Sequence, residues 1–189
     1  MSCIELNTIA KHLDLHQLAC IGELGAGYGR LAYLATTLLP RVQYSIFDIP
    51  PALAISQLYL ATVLGHDQVA HCTDCVPNLS REISSHPRVV ASLAHQLEVV
   101  PDNHFDLMVN ISSLDEMPFD QVRNYLELMD RKCRGWVYLK GYRSRKGTDP
   151  DRPMGVSQFP YPDHWSLIFH GQDATHPKFI ERIYRVSSP

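Results

Sequence analysis

The sequence predicts an α/β protein: a mostly parallel sheet with helices on both faces, finished at its C-terminal end by an antiparallel hairpin. Three observations predict it. Short apolar runs alternate with segments of helical periodicity from Leu18 to Lys140, the pattern of strands joined by crossover helices. A glycine-rich turn, Gly25 to Gly29, separates the first apolar run from the next helical segment. The last two strand-like runs, Trp165 to Phe169 and Phe179 to Val186, have no helix of useful length between them, which suits antiparallel pairing at a sheet edge.

The elements follow in order. Residues 1–18 hold a short amphipathic helix, with Leu6, Ile9, Ala10 and Leu13 on one side from Glu5 onward. Leu18 to Leu24 is a buried strand that runs into the glycines. Tyr28 to Leu39 places Leu31, Leu34, Ala35 and Leu38 at helical spacing, and Pro40 stops it. Val42 to Phe47 is the next strand, with Asp48 at its end. Pro50 and Pro51 open a helix to Leu64, because proline is tolerated in a first turn. A weak helical stretch spans Leu79 to Ser85. Val89 to Ala94 and Phe105 to Ile111 are the third and fourth strands. Pro118 to Lys132 is a helix carrying Val122, Tyr125, Leu126 and Met129, and Trp136 to Lys140 is the fifth strand. The segment from Gly141 to Asp163 is rich in Pro, Gly, Arg and Asp. A connection that long in a compact domain marks it as a candidate substrate loop. No repeat and no second domain interrupt residues 1–189.

Composition narrows the function classes. The chain has 189 residues, a formal net charge of -3, 45% hydrophobic and 20% charged residues. That balance argues against a nucleic-acid binder relying on a broad basic surface. No apolar run approaches the ~20 residues of a membrane span. The N-terminus lacks the features of a signal or transit peptide, so the expected compartment is the cytoplasm. The five cysteines include a CxxC pair, Cys72 and Cys75, with no second pair to complete a zinc set; they read as reduced thiols. The ten histidines are accompanied by no clustered carboxylate set, and no metal is expected.

The chemistry concentrates at Glu23-Leu24-Gly25-Ala26-Gly27-Tyr28-Gly29. Glycines at alternate positions permit a sharp turn and close approach of a ligand to the main chain. The helix beginning beyond them aims its first N–H groups at that ligand. Asp48, at the next strand end, is placed to accept hydrogen bonds from ribose hydroxyls, with Ile49 beside it. The alternative role for Asp48 is a helix N-cap. A dinucleotide fingerprint needs GxGxxG. The spacing here, an acid followed by GxGxG, matches S-adenosylmethionine sites better. A carboxylate is also electrostatically favourable near that cationic ligand, and Glu23 can act directly or through the loop backbone.

These segments resemble a known family. Glu23 to Arg30, Tyr44 to Leu53, Gln57 to Leu60 and the turn Asn110-Ile111-Ser112-Ser113-Leu114-Asp115-Glu116-Met117 look like the sugar O-methyltransferases, over most of the chain from Leu18 to Val186. The resemblance implies a Rossmann-like class I methyltransferase fold, S-adenosylmethionine as cofactor and a small-molecule acceptor, a sugar. On this pattern the cofactor-binding residues are Glu23, Gly25, Ala26, Gly27, Tyr28, Gly29, Asp48, Ile49, His95, Gln96 and Asn110, with His95 and Gln96 at the adenine edge. Ligands in open parallel sheets sit outside the carboxyl ends of the strands. Ser112, Ser113, Arg143 and Tyr161 are therefore substrate candidates. Glu116 is the first candidate for the base that takes the acceptor proton, followed by Asp115 and His95. The alternative for Glu116 is a first-turn charge on the Pro118 helix. Family members carry a long region ahead of the glycine turn, and only about twenty residues precede it here. That raises a second expectation: a cofactor-binding domain without independent catalysis, acting with a partner chain or as a homo-oligomer.

Overall fold

The computed structural model describes residues 2–70, 87–143 and 155–186. Eight strands form one sheet: β1 (Cys20–Leu24), β2 (Gln43–Asp48), β3 (Val69–Ala70), β4 (Val89–Leu93), β5 (Phe105–Ile111), β6 (Cys133–Tyr142), β7 (Ser166–Gln172) and β8 (Phe179–Arg185). Their spatial order is β3-β4-β2-β1-β5-β6-β8-β7. The strands from β3 to β6 pair in parallel, and β8 is antiparallel to both β6 and β7. The predicted architecture is therefore observed, including the C-terminal hairpin. Four helices complete it: α1 (Ser2–Ala10), α2 (Arg30–Leu38), α3 (Pro50–Leu64) and α4 (Phe119–Lys132).

Alternation along the strands divides the core in two. Ile21, Tyr44, Ile46, Ala91, Val109 and Ile183 face α1, α2 and α3, which contribute Ile9, Leu31, Ala35, Leu53 and Leu60. Cys20, Leu24, Phe47, Met108, Val137 and Leu139 face α4, whose Val122, Leu126 and Met129 lie at the spacing of one helical stripe. Central strands buried on both faces explain the near-continuous apolar runs in the sequence. Arg88 secures the end of α2. Its guanidinium donates to the carbonyls of Thr36 (2.6 Å) and Leu39 (2.8 Å), which the helix leaves unpaired.

Several boundaries differ from expectation. The N-terminal helix stops at Ala10, and Asp14 then starts a separate 3₁₀ turn, Leu15–Gln17, by accepting from the His16 N–H at 3.0 Å. Helix α2 begins at Arg30 rather than Tyr28, because Gly27 and Gly29 hold positive φ. Strand β3 is two residues long, too short to leave a periodic signal. Strand β6 starts at Cys133, directly off α4, because it pairs on both edges. The helical stretch at Leu79 to Ser85 and the Cys72–Cys75 pair lie outside the described residues. No helix among the described residues is long and apolar enough to cross a membrane.

Candidate functional site

Strand β1 ends at Leu24, and the chain turns through Gly25 (φ 76°), Gly27 (φ 60°) and Gly29 (φ 87°). The Gly25 N–H donates to the Phe47 carbonyl at 2.8 Å, tying the turn to the end of β2. The two sides of this turn differ. A Cβ on Gly25 would lie 2.2 Å from Ser113 Oγ, whereas a Cβ on Gly27 would meet nothing within 4 Å. The turn is packed at residue 25 and open at residue 27.

Asp48 faces that open side. Its Oδ2 accepts from the Gly27 N–H at 2.8 Å and its Oδ1 from the Ile49 N–H at 2.7 Å. Burial raises its carboxyl above the usual range, and the N–H groups of Ile49, Gly27 and Ala26 oppose that rise. The capping alternative is not realised: the N-cap of α3 is Ile49, and no side chain bonds into the first turn. Ile49 and Tyr28 flank this space and remain exposed, at 60% and 52%, so an apolar surface borders the carboxylate. Tyr28 rests edge-on against Tyr59, with ring centroids 5.5 Å apart.

Glu23 does not reach the open side. It lies on the β1 face that packs against α2, is buried, and accepts from Tyr44 Oη at 2.8 Å. Burial pushes its carboxyl up to about 7, against the Tyr44 hydrogen bond and the charge of Arg30. Glu23 thus joins β1 to β2 beneath the turn.

At the end of β4, Leu93 is in register with Asp48. His95 follows and is exposed. Gln96 Oε1 accepts from the Leu93 N–H at 2.8 Å, so its carbonyl oxygen holds the 3₁₀ turn Ala94–Val99.

The end of β5 is folded inward more than the sequence implied. Asn110 is buried; its Nδ2 donates to the Leu24 carbonyl at 2.9 Å and to Ser113 Oγ, and its Oδ1 accepts from the Leu114 N–H. Ser113 Oγ donates to the same Leu24 carbonyl at 3.2 Å. Both residues clamp the end of β1 under the glycine turn. Asp115 is buried as well, and its Oδ2 accepts from the Tyr142 N–H at 3.0 Å, fixing the end of β6. Ser112 has φ 62° and donates its N–H to the Lys140 carbonyl at 2.7 Å. Glu116 is exposed at the end of the 3₁₀ turn Leu114–Glu116 and precedes α4 by two residues, outside its first turn.

Arg143 is exposed, with its N–H on the Lys178 carbonyl and its carbonyl accepting from Ser157 Oγ. Tyr161 donates to the Val156 carbonyl at 2.6 Å and packs against Tyr184, so it forms wall rather than contact surface. The rest of the candidate loop, with Arg145, Lys146 and Arg152, lies outside the described residues. Among the described residues, no group of three His, Cys, Asp or Glu is placed to hold a metal ion.

One polar network escaped the sequence reading. Glu5 of α1 is buried between two cations: Arg30 Nη2 at 2.9 Å and Lys140 Nζ at 3.0 Å. Lys140 also pairs with Asp173, whose Oδ1 caps its own turn through Thr175 and His176 N–H groups. Arg30 is the residue after the glycine turn, so α1 and the β7–β8 turn are tied to the start of α2. A lysine inside the apolar run of β6 was the available signal.

No protein-family profile matches the chain, and no curated protein does. Solved structures do. The mitomycin 7-O-methyltransferase MmcR aligns with a TM-score of 0.67 at 14% identity, covering 97% of this chain and 54% of that one. The N-methyltransferase NodS from Bradyrhizobium japonicum WM9, in complex with S-adenosylhomocysteine, aligns at 0.64 and 13% identity, covering 98% and 88%. The magnesium protoporphyrin IX methyltransferase of Synechocystis PCC 6803, with bound S-adenosylmethionine, aligns at 0.62 and 14% identity, covering 98% and 77%. The chain spans about half the length of the first of these structures and of some others that it matches. It has the Rossmann-like fold of the class I methyltransferases.

Proposed function

We propose that this chain binds S-adenosylmethionine between the Gly25–Gly29 turn and Asp48 and transfers its methyl group to a small hydroxylated acceptor, a sugar. The observation that carries the reading is the Asp48 carboxylate, turned onto the Gly27 N–H beside the unfilled space at that glycine. A carboxylate there accepts from paired ribose hydroxyls, and the absence of a Cβ lets the nucleoside approach the main chain. Ile49 and Tyr28 supply apolar surface for the base, with His95 and Gln96 at its far edge. When bound, the cofactor contributes a methyl group on a cationic sulfur. Glu116 is the base assigned to the acceptor proton, since it is the exposed carboxylate beyond β5. Positioning of the acceptor oxygen in line with the methyl group supplies much of the remaining rate. The sugar assignment rests on the motif resemblance alone.

Calorimetry tests the cofactor half. S-adenosylhomocysteine should bind with micromolar affinity. Asp48→Ala should weaken it by about a hundredfold, the cost of two hydrogen bonds to a charged group. Unchanged binding in that variant removes Asp48 from the site. For the transfer half, Glu116→Gln should lower kcat by about 10²-fold or more while leaving cofactor affinity intact. The exposure of Glu116 favours one second reading, a cofactor-binding domain whose acceptor pocket is completed by a partner chain. Cofactor binding without methyl transfer, with transfer restored by that partner, would select it.

A further inference from the structure

At the opposite edge of the sheet, below the first residues of β1, β5 and β6, lies a second cavity of about 390 Å³, within the range of small-molecule sites. The segment after α1, from His12 to Leu18, lines the cavity on one side, and Trp136 and Arg185 line it on the other. The acids around it are already committed. Asp106 accepts from the N–H groups of Ala19 (2.8 Å) and Cys20 (2.9 Å) and from Arg134 Nε (2.6 Å). Asp14 accepts from the His16 N–H and from Gln17 Nε2 within its own turn. The cations are not balanced in the same way. Arg185 stacks over the Trp136 ring, 4.9 Å from its centroid, and makes no hydrogen bond or ion pair among the described residues. His12, whose ring packs on Phe169 at 4.5 Å, adds a second nitrogen-bearing group.

A guanidinium that lies over an indole ring, with no carboxylate paired to it, keeps N–H donors for a carboxylate or phosphate, which it can take through paired N–H groups. We propose that this cavity binds a small oxyanion, a carboxylate or phosphate group, on Arg185, at a site separate from the nucleoside cradle. The five residues of β1, about 13–17 Å of extended chain, separate the two edges. Trp136 supplies an apolar wall for the body of the ligand. The inference stands independently of the methyl-transfer reading.

The test is a titration of ¹⁵N-labelled protein with inorganic phosphate in one arm and succinate in another, at ionic strength held constant with sodium chloride. The Trp136 indole signal should shift saturably in at least one arm while the Trp165 indole stays still. The responding arm identifies the group recognised. Arg185→Gln should weaken binding about tenfold or more. Arg185→Lys, which keeps the charge and loses the fork, should weaken it less. Arg123→Gln removes the same charge from α4 and should change nothing. Absence of a saturable shift in both arms up to about 50 mM, well past millimolar affinity, overturns the proposal. So does a shift of equal size in Arg185→Gln.

Discussion

Glu23 shows how a residue legible in the sequence takes its role from burial. The acid before the glycine turn is visible by spacing, but not the Tyr44 hydroxyl that meets it inside the sheet. Its carboxyl is pushed up to about 7 from an ordinary 4.5. Between those values the folded chain holds a proton that the unfolded chain has released, so stability contributed by this group is lost as pH rises through the window. Glu23→Gln should therefore flatten the fall in stability between pH 5 and 8, measured by urea denaturation at both ends; an unchanged slope would refute it. Gly25 makes a second case. A methyl group there meets Ser113 Oγ and must hold φ 76°. Gly25→Ala should cost about 1–3 kcal/mol, as overpacking does. Adding Ser113→Gly should recover only part of it, since the backbone strain remains. The glycines and Asp48 were readable because backbone conformation and strand ends leave spacing signals. The burial of Asn110 and Asp115 was not legible, because spacing does not tell an inward polar group from an outward one.

Helix α1 is more than a cover for apolar surface. Arg30 stands at the positive end of α2, where a cation is disfavoured unless an anion accompanies it. Glu5 is that anion, and it also holds Lys140 in the interior. Removing one partner from such a set leaves buried charge unpaired. Glu5→Ala should lose about 3–5 kcal/mol of stability, and Glu5→Gln less, because the amide keeps hydrogen bonds. A cost under 1 kcal/mol for the alanine variant in chemical denaturation would show that water reaches the cluster. The periodicity of residues 1–18 located this helix but overextended it: Leu13 and Leu18 continue the apolar pattern as buried anchors on either side of the 3₁₀ turn, outside any helix.

For the molecule as a whole, the parallel body of the sheet and its antiparallel end were predictable from its parts. Doubly buried parallel strands must be apolar throughout, crossovers need helices, and a chain returning without one must pair antiparallel. Strand β3 was the exception, since two residues carry no period. A ligand that binds only the folded state stabilises all of it. S-adenosylhomocysteine at about a hundred times its Kd should add about 2.7 kcal/mol. For a chain of this size that raises Tm by about 5–11 °C. Asp48→Ala should cut the shift to about 1–2 °C at the same ligand concentration, and a shift that survives in full would place the ligand elsewhere.

The double anchorage of the Leu24 carbonyl by Asn110 and Ser113 has a bearing on how such a protein changes its taste for acceptors. The stretch from 110 to 113 is mortised to the glycine turn, so on the proposed function any remodelling there is felt at the cofactor site. On the proposed function, variants selected for a new acceptor should keep Glu116, accumulate changes from Met117 onward and leave the joint alone. A selected variant with Ser113 replaced by a bulky residue and undiminished cofactor affinity would contradict this.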